Sequence, residues 1–235
     1  MKILVTGSTQ GIGKAIAAAF VKNGDEVIVH CNDIVKAESV RKEIGASKVA
    51  TCDLSDIREV NDLYEKTGAV DCLILNASVQ FKNDWTKVSE EEFDKQIAVN
   101  LKSTYFLMQK YVVEMKEKGF GRIVTIGSVN QYRNHSELTV YSATKCAVES
   151  LVRNIAKQVA PYGVTVNNVA PGAILTPRNQ GVFCDEEKRK AVEKLIPVGR
   201  FGVPEDVVGA VMLLCGEKGG YITGADIVVD GGIKL

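Results

Sequence analysis

The sequence carries no excess of charge of either sign: lysine plus arginine number 29, and so do aspartate plus glutamate. A balanced chain announces no basic face, which argues against nucleic acid as a partner. It also lacks any Cys-x-x-Cys pair. Its six cysteines, at 31, 52, 72, 146, 184 and 215, are widely scattered, a spacing that fits neither a zinc site nor a small disulfide framework. They read as small apolar residues in a reducing compartment, and no metal is expected. No apolar run approaches the ~20 residues needed to span a bilayer; the longest, Val207 to Cys215, is far shorter. Nor is there a charged leader before an apolar signal core, because Met1-Lys2 passes at once into an apolar strand. These absences predict a soluble cytoplasmic protein with no membrane partner.

What is present begins with Tyr141-Ser142-Ala143-Thr144-Lys145. A spacing of four puts Tyr141 and Lys145 on one face of a helix, about one turn apart. A cation beside a phenol favours its ionised form, so the pair is suited to proton transfer. Upstream, Gly121 to Ser128 reads as a buried β-branched strand that ends in a hydroxyl, and in open α/β sheets ligands bind at that carboxyl end. At the amino terminus, Thr6-Gly7-Ser8-Thr9-Gln10-Gly11-Ile12-Gly13 follows the strand Ile3-Leu4-Val5 and opens a helix. Glycines in such a turn let the backbone approach a pyrophosphate at the positive end of the helix.

Ser128, Tyr141, Lys145 and this glycine turn together resemble the short-chain dehydrogenase/reductase family of the classical type, and the resemblance covers essentially the whole chain. It implies an α/β fold: a single-domain, doubly wound Rossmann fold over residues 1–235, with a parallel sheet flanked by helices on both faces. It implies hydride transfer between a nicotinamide cofactor and a ketone, aldehyde or secondary alcohol. Ser128 is then expected to polarise the carbonyl, Tyr141 to move the proton, and Lys145 to assist Tyr141 and hold ribose hydroxyls. Asn100, in Val99-Asn100-Leu101, matches the family's fourth catalytic position, where it would kink a long helix and hold a water; an ordinary polar residue at a helix break is the alternative.

For the cofactor, the resemblance implies contacts from Gly7, Thr9, Gln10, Gly11, Ile12 and Gly13, from Asn32, from Asp53 and Leu54, from Asn76 and Ala77, and from Tyr141 and Lys145. The Pro171-Gly172 turn with Ile174 and Thr176 completes the set. Asp53 could equally be a turn acid or helix cap. The family's acidic position after the second strand falls on Cys31, which cannot hold a ribose hydroxyl; Asp33 lies two residues on. No obvious arginine takes the place of the acid, and His30, Asn32, Lys36, Gln10 and Lys14 are the nearest candidates for a 2′-phosphate. NADP is the preferred cofactor, with NAD as the alternative. The family's usual glycine after Asn76-Ala77 is Ser78 here.

Residues 177–200 fall where the family carries a substrate lid, and their mixed charges read by default as a solvated helix face. The run Asn130-Gln131-Tyr132-Arg133-Asn134-His135 after Ser128 is dense in hydrogen-bonding groups. It either lines a site for a polar substrate such as a sugar or polyol, or forms an exposed loop. A 3-oxoacyl carrier thioester is the rival substrate. A nucleotide-sensing regulator without turnover and a sugar-nucleotide epimerase are readings of other classes. The helix after Tyr141 carries a stripe through Val148, Val152 and Val159 that serves core or subunit contact, and the family implies a homotetramer or homodimer.

Overall fold

Ile3, Leu4 and Val5 are completely buried, which a strand achieves only when both faces of its sheet are covered. In the computed structural model, which describes residues 1–235 apart from the side chains of Val182 and Phe183, these residues form β1 (Lys2–Val5). It pairs in parallel with β2 (Glu26–Cys31) on one side and, on the other, with the strand Cys72–Leu75. With β3 (Lys48–Thr51), that strand as β4, β5 (Gly121–Ile126), β6 (Val164–Pro171) and β7 (Asp226–Val229), the described residues make a seven-stranded sheet of order β3-β2-β1-β4-β5-β6-β7. Every pairing is parallel.

The helices are α1 (Gly11–Lys22), α2 (Ile34–Ile44), α3 (Ile57–Thr67), α4 (Glu90–Gln96), α5 (Ser103–Lys118), α6 (Thr139–Val159), the short α7 (Gln180–Phe183), α8 (Glu186–Glu193) and α9 (Pro204–Cys215). Alternate strand residues sort them onto two layers. Ile3, Val5, Val27, Val29 and Ile74 pack on α1, α2 and α9 through Ile16, Phe20, Val40 and Val211. Leu4, Ile28, Leu73 and Ile123 pack on α3, α5 and α6 through Leu63, Leu107, Tyr111 and Val152. The stripe on α6 is therefore core.

Local chemistry sets where the helices begin. Asp33 accepts the Val35 and Lys36 N–H groups and caps α2, Asp56 caps α3, and Ser89 with Glu92 forms a capping box on α4. Helix α1 has neither a side-chain cap nor an acid in its first turn. The long helix expected across Asn100 is broken by a wide π-type turn over Ile97–Lys102, a feature that often marks functional sites.

After β1 the chain crosses outward to β2, and after β3 it returns past β1 to β4. The carboxyl ends of β1 and β4 therefore diverge and open a crevice. Replacing Leu73, fully buried in β4, by alanine should cost about 2–5 kcal/mol in urea unfolding. A loss within about 0.5 kcal/mol, the range of ordinary surface substitutions, would contradict this packing.

Candidate active site

The crevice is a cleft of about 590 Å³, lined by the loops after β1, β2, β3, β4, β5 and β6. Its floor is the glycine turn. Gly7 and Gly11 have φ of +62° and +53°, conformations that L-residues with a side chain rarely adopt. A Cβ on Gly7 would stand 2.9 Å from the Ala77 Cα, and one on Gly13 would stand 2.4 Å from the Asn76 Nδ2. The Asn76 Nδ2 donates to the Thr6 and Gly7 carbonyls at 3.0 Å each. Gly7, Thr9, Gln10, Gly11, Ile12, Asn76 and Ala77 line the cleft, whereas Gly13 packs behind it. An uncapped helix start above a wall-free glycine turn fits the pyrophosphate of a dinucleotide.

At the end of β2, Cys31 and Asn32 line the cleft but Asp33 does not. Its Oδ1 caps α2, and it stands outside the lining of the cleft. The neighbours are neutral: the Thr9 hydroxyl donates to the Cys31 Sγ at 3.4 Å. The buried His30 accepts the Gly7 N–H at its Nδ1, and burial lowers its pKa to about 4. Lys14 pairs with Glu43. Asp53 and Leu54 line the cleft beyond; hydrogen bonds from Ser55 hold the Asp53 carboxyl below its usual range, and Lys95 stands 3.8 Å away.

The opposite wall carries Ser128, Tyr141 and Lys145. Ser128 follows β5, and its Oγ accepts the Asn130 N–H at 3.1 Å. Among the described residues the hydroxyl donates to none, so its proton is free for an oxygen in the cleft. The Lys145 Nζ donates to the carbonyl of Ile126 at 2.7 Å and lies 5.5 Å from the centroid of the Tyr141 ring. Burial, with a smaller push from Arg178, lowers the Lys145 pKa to about 7. The expected ammonium is thus poised to gain or lose its proton near neutrality.

Asn100 does not line the cleft. Its side chain accepts the Val79 N–H, donates to the Val79 carbonyl, and donates to the Thr144 hydroxyl at 3.2 Å. Through the π-type turn it braces the strand-end loop of β4 against the turn of α6 between Tyr141 and Lys145. Pro171, Gly172, Ile174 and Thr176 complete the rim.

The polar run after Ser128 divides. Asn130, Arg133, Asn134 and His135 line the cleft, with Lys82 across from them; Gln131 and Tyr132 instead turn to Asp226. Residues 177–200 contribute Pro177, Arg178, Asn179, Val192 and Leu195 to the cleft. The charges of α8 pair among themselves, as Lys190 with Glu186 and Arg189 with Glu193. Arg178 is exposed, as a solvated face requires, but it is not unpartnered. It donates to the Ser78 hydroxyl at 2.9 Å and to the Ser78 carbonyl at 2.6 Å, so the serine that replaces the usual glycine is the grip for a residue 100 positions later.

A doubly wound sheet with a glycine turn at its switch point and a Ser/Tyr/Lys wall facing it defines a dinucleotide-dependent oxidoreductase. The comparisons agree. A family model described as enoyl-(acyl carrier protein) reductase matches residues 7–234. The chain is 33% identical to a 3-oxoacyl-[acyl-carrier-protein] reductase of Rickettsia conorii, over 99% of this chain and 96% of that one. It is 35% identical to a glucose 1-dehydrogenase of Gluconobacter oxydans, over 100% and 92%. The structure of a 3-oxoacyl (acyl-carrier-protein) reductase from Agrobacterium tumefaciens with NADP bound superimposes with a TM-score of 0.94 at 35% identity, covering 98% of this chain and 93% of the other. The chain belongs to the short-chain dehydrogenase/reductase family, enzymes that act with NAD(P) on CH–OH and C=O groups.

Burying Lys145 has a measurable sign. A lysine that falls from the usual value near ~10.4 to about 7 on folding leaves the unfolded chain holding more protons between those values, so stability rises with pH across that window. Lys145→Met should therefore stabilise the cofactor-free protein at pH 7 and below, with the gain shrinking towards pH 10. Thermal melts of the two proteins over pH 6–10 check this; a constant difference would refute the buried-amine account.

Proposed function

We propose that the protein is an NADP-dependent reductase or dehydrogenase of a polar carbonyl or secondary alcohol, such as a sugar or polyol. The observation that carries the chemistry is the free Ser128 proton facing the same cleft as the Tyr141 hydroxyl, with Lys145 beneath. Ser128 donates a hydrogen bond to the substrate oxygen and steadies the alkoxide that develops there. Tyr141 hands its proton to that oxygen in reduction and takes it back in oxidation. The Lys145 Nζ, when protonated, offsets the phenolate charge. When bound, the nicotinamide supplies or accepts the hydride. Asn100 holds the strand-end loop and α6 in register.

Two further observations support the finer choices. NADP fits an adenosine end that offers Thr9, Gln10 and Asn32 and no carboxylate for the ribose. A polar substrate fits a catalytic end lined by Asn130, Arg133, Asn134, His135 and Lys82; Asp53, at the other end, is the single carboxylate among the described residues of the cleft. Residues 177–200 act as the lid. A 3-oxoacyl thioester remains the second reading, favoured by similarity to the carrier-protein reductase at nearly the same identity as to the glucose dehydrogenase. Exposed Phe93, Tyr105 and Val113 on α4 and α5 offer apolar faces for a homotetramer or homodimer. Among the described residues no helix is long and apolar enough to cross a membrane, and the six free cysteines accord with a cytoplasmic setting.

Oxidation of NADPH and NADH against sugars, diketones and short acetoacetyl thioesters tests the reading. Turnover should be fastest with NADPH and a polyhydroxy carbonyl, and Tyr141→Phe should lower kcat about 10²- to 10⁴-fold while cofactor binding persists. Faster reduction of the thioester would hand the substrate to the second reading. Activity retained in Tyr141→Phe would refute the mechanism.

A further inference from the structure

Behind the loop that carries Ser128 lies a half-buried carboxylate outside the cleft. Asp226, at the start of β7, accepts from three side chains: the Asn168 Nδ2 at 2.9 Å, the Gln131 Nε2, and the Tyr132 hydroxyl. The Thr125 hydroxyl donates to the Asn168 Oδ1 at 2.5 Å. Gln131, in turn, uses its Oε1 to accept the Ser128 N–H at 3.3 Å.

The order of donors and acceptors has only one consistent reading. The ionised Asp226 only accepts, so the Asn168 amide nitrogen must face it, and the oxygen side is left to accept the Thr125 hydroxyl. The carboxylate has no proton to give in its ionised state, so it selects the nitrogen side of Gln131 and leaves the oxygen side for Ser128. Reversing Gln131 would set an acceptor against the carboxylate and a donor against the Ser128 N–H. The passage is tight: a Cβ on Gly127 would stand 2.5 Å from both the Asn168 Nδ2 and the Gln131 Oε1.

We infer that Asp226 is a positioning residue for Ser128, acting through the orientation of the Gln131 amide. Its carboxylate turns a chain of side chains on β5, β6 and β7 into a fixed backbone position for the hydroxyl that meets the substrate. The inference rests on the proposed role of Ser128, but its structural half is readable without substrate.

A two-residue exchange tests it. In Asp226→Asn the amide oxygen can accept on only one of the two sides that Asn168 and Gln131 donate to, so its NH₂ meets a donor on the other and Gln131 is held less firmly. Exchange of the Ser128 amide hydrogen should quicken about tenfold and kcat should fall about tenfold, with KM for NADPH unchanged. Asp226→Asn combined with Gln131→Glu swaps amide and carboxylate. The carboxylate now at position 131 accepts the Ser128 N–H. The amide now at position 226 donates to that carboxylate and still accepts from Asn168, while the exposed Tyr132 hydroxyl turns away. The pair should recover kcat and amide protection to within about threefold of wild type. A filler role for Asp226 predicts no such rescue. Wild-type kcat and amide exchange in Asp226→Asn, or a double variant no better than the two singles combined, would overturn the inference. Should Asp226→Asn not fold, Gln131→Ala removes the acceptor of the Ser128 N–H with no substitution in β7, and unchanged exchange at Ser128 would overturn it equally. Absence of turnover in the wild type, with normal effects on exchange, would instead refute the reductase reading.

Discussion

The clasp between Thr6 and Asn76 governs the rest of the site. Where β1 and β4 diverge, ladder pairing must stop, and the freed backbone groups need partners. Thr6 supplies them. Its N–H and hydroxyl meet the Ile74 carbonyl, while the hydroxyl oxygen accepts the Asn76 and Ala77 N–H groups at 3.0 and 3.1 Å. Asn76 answers through the Thr6 and Gly7 carbonyls. The crevice can open because these side chains replace the lost ladder, and the glycine turn inherits its position from them.

The catalytic wall depends on a different compromise. Its one buried amine has no carboxylate partner among the described residues and is satisfied by the Ile126 carbonyl. A carboxylate there would have fixed the charge of Lys145 and closed it to proton traffic. Leaving it unpaired costs folding energy, and the sheet around it, buried on both faces, is what tolerates that cost. In the proposed mechanism, stability and proton transfer are set against each other at a single nitrogen.

Much of this is legible in the sequence because it is local. A strand, a glycine turn and a helix that ends at Lys22, and a Tyr–Lys pair one helical turn apart, write their geometry in spacing alone. Strand ends are less legible: β5 stops at Ile126 and β6 runs on to Pro171, since neighbours and not propensity decide where pairing ends. Asp33 has the type and place of a ribose acid, and a helix cap claims it. Gly13 and Asn100 support the cleft from behind instead of lining it. The Asp226 cluster and the Arg178–Ser78 contact are invisible in the sequence, because they join residues 58 to 100 positions apart through side chains whose types say nothing of their partners. The only hint is an unexpected serine after Asn76-Ala77.

That serine also sets an equilibrium. Arg178 is exposed, and two hydrogen bonds from an exposed guanidinium are worth about 1–2 kcal/mol. A segment fastened only that firmly would be released for about 3% to about 16% of the time. Arg178 and Ser78 thus make a latch and not a lock: in the proposed role of residues 177–200 as a lid, its fastening is weak enough to open often and strong enough to stay closed most of the time.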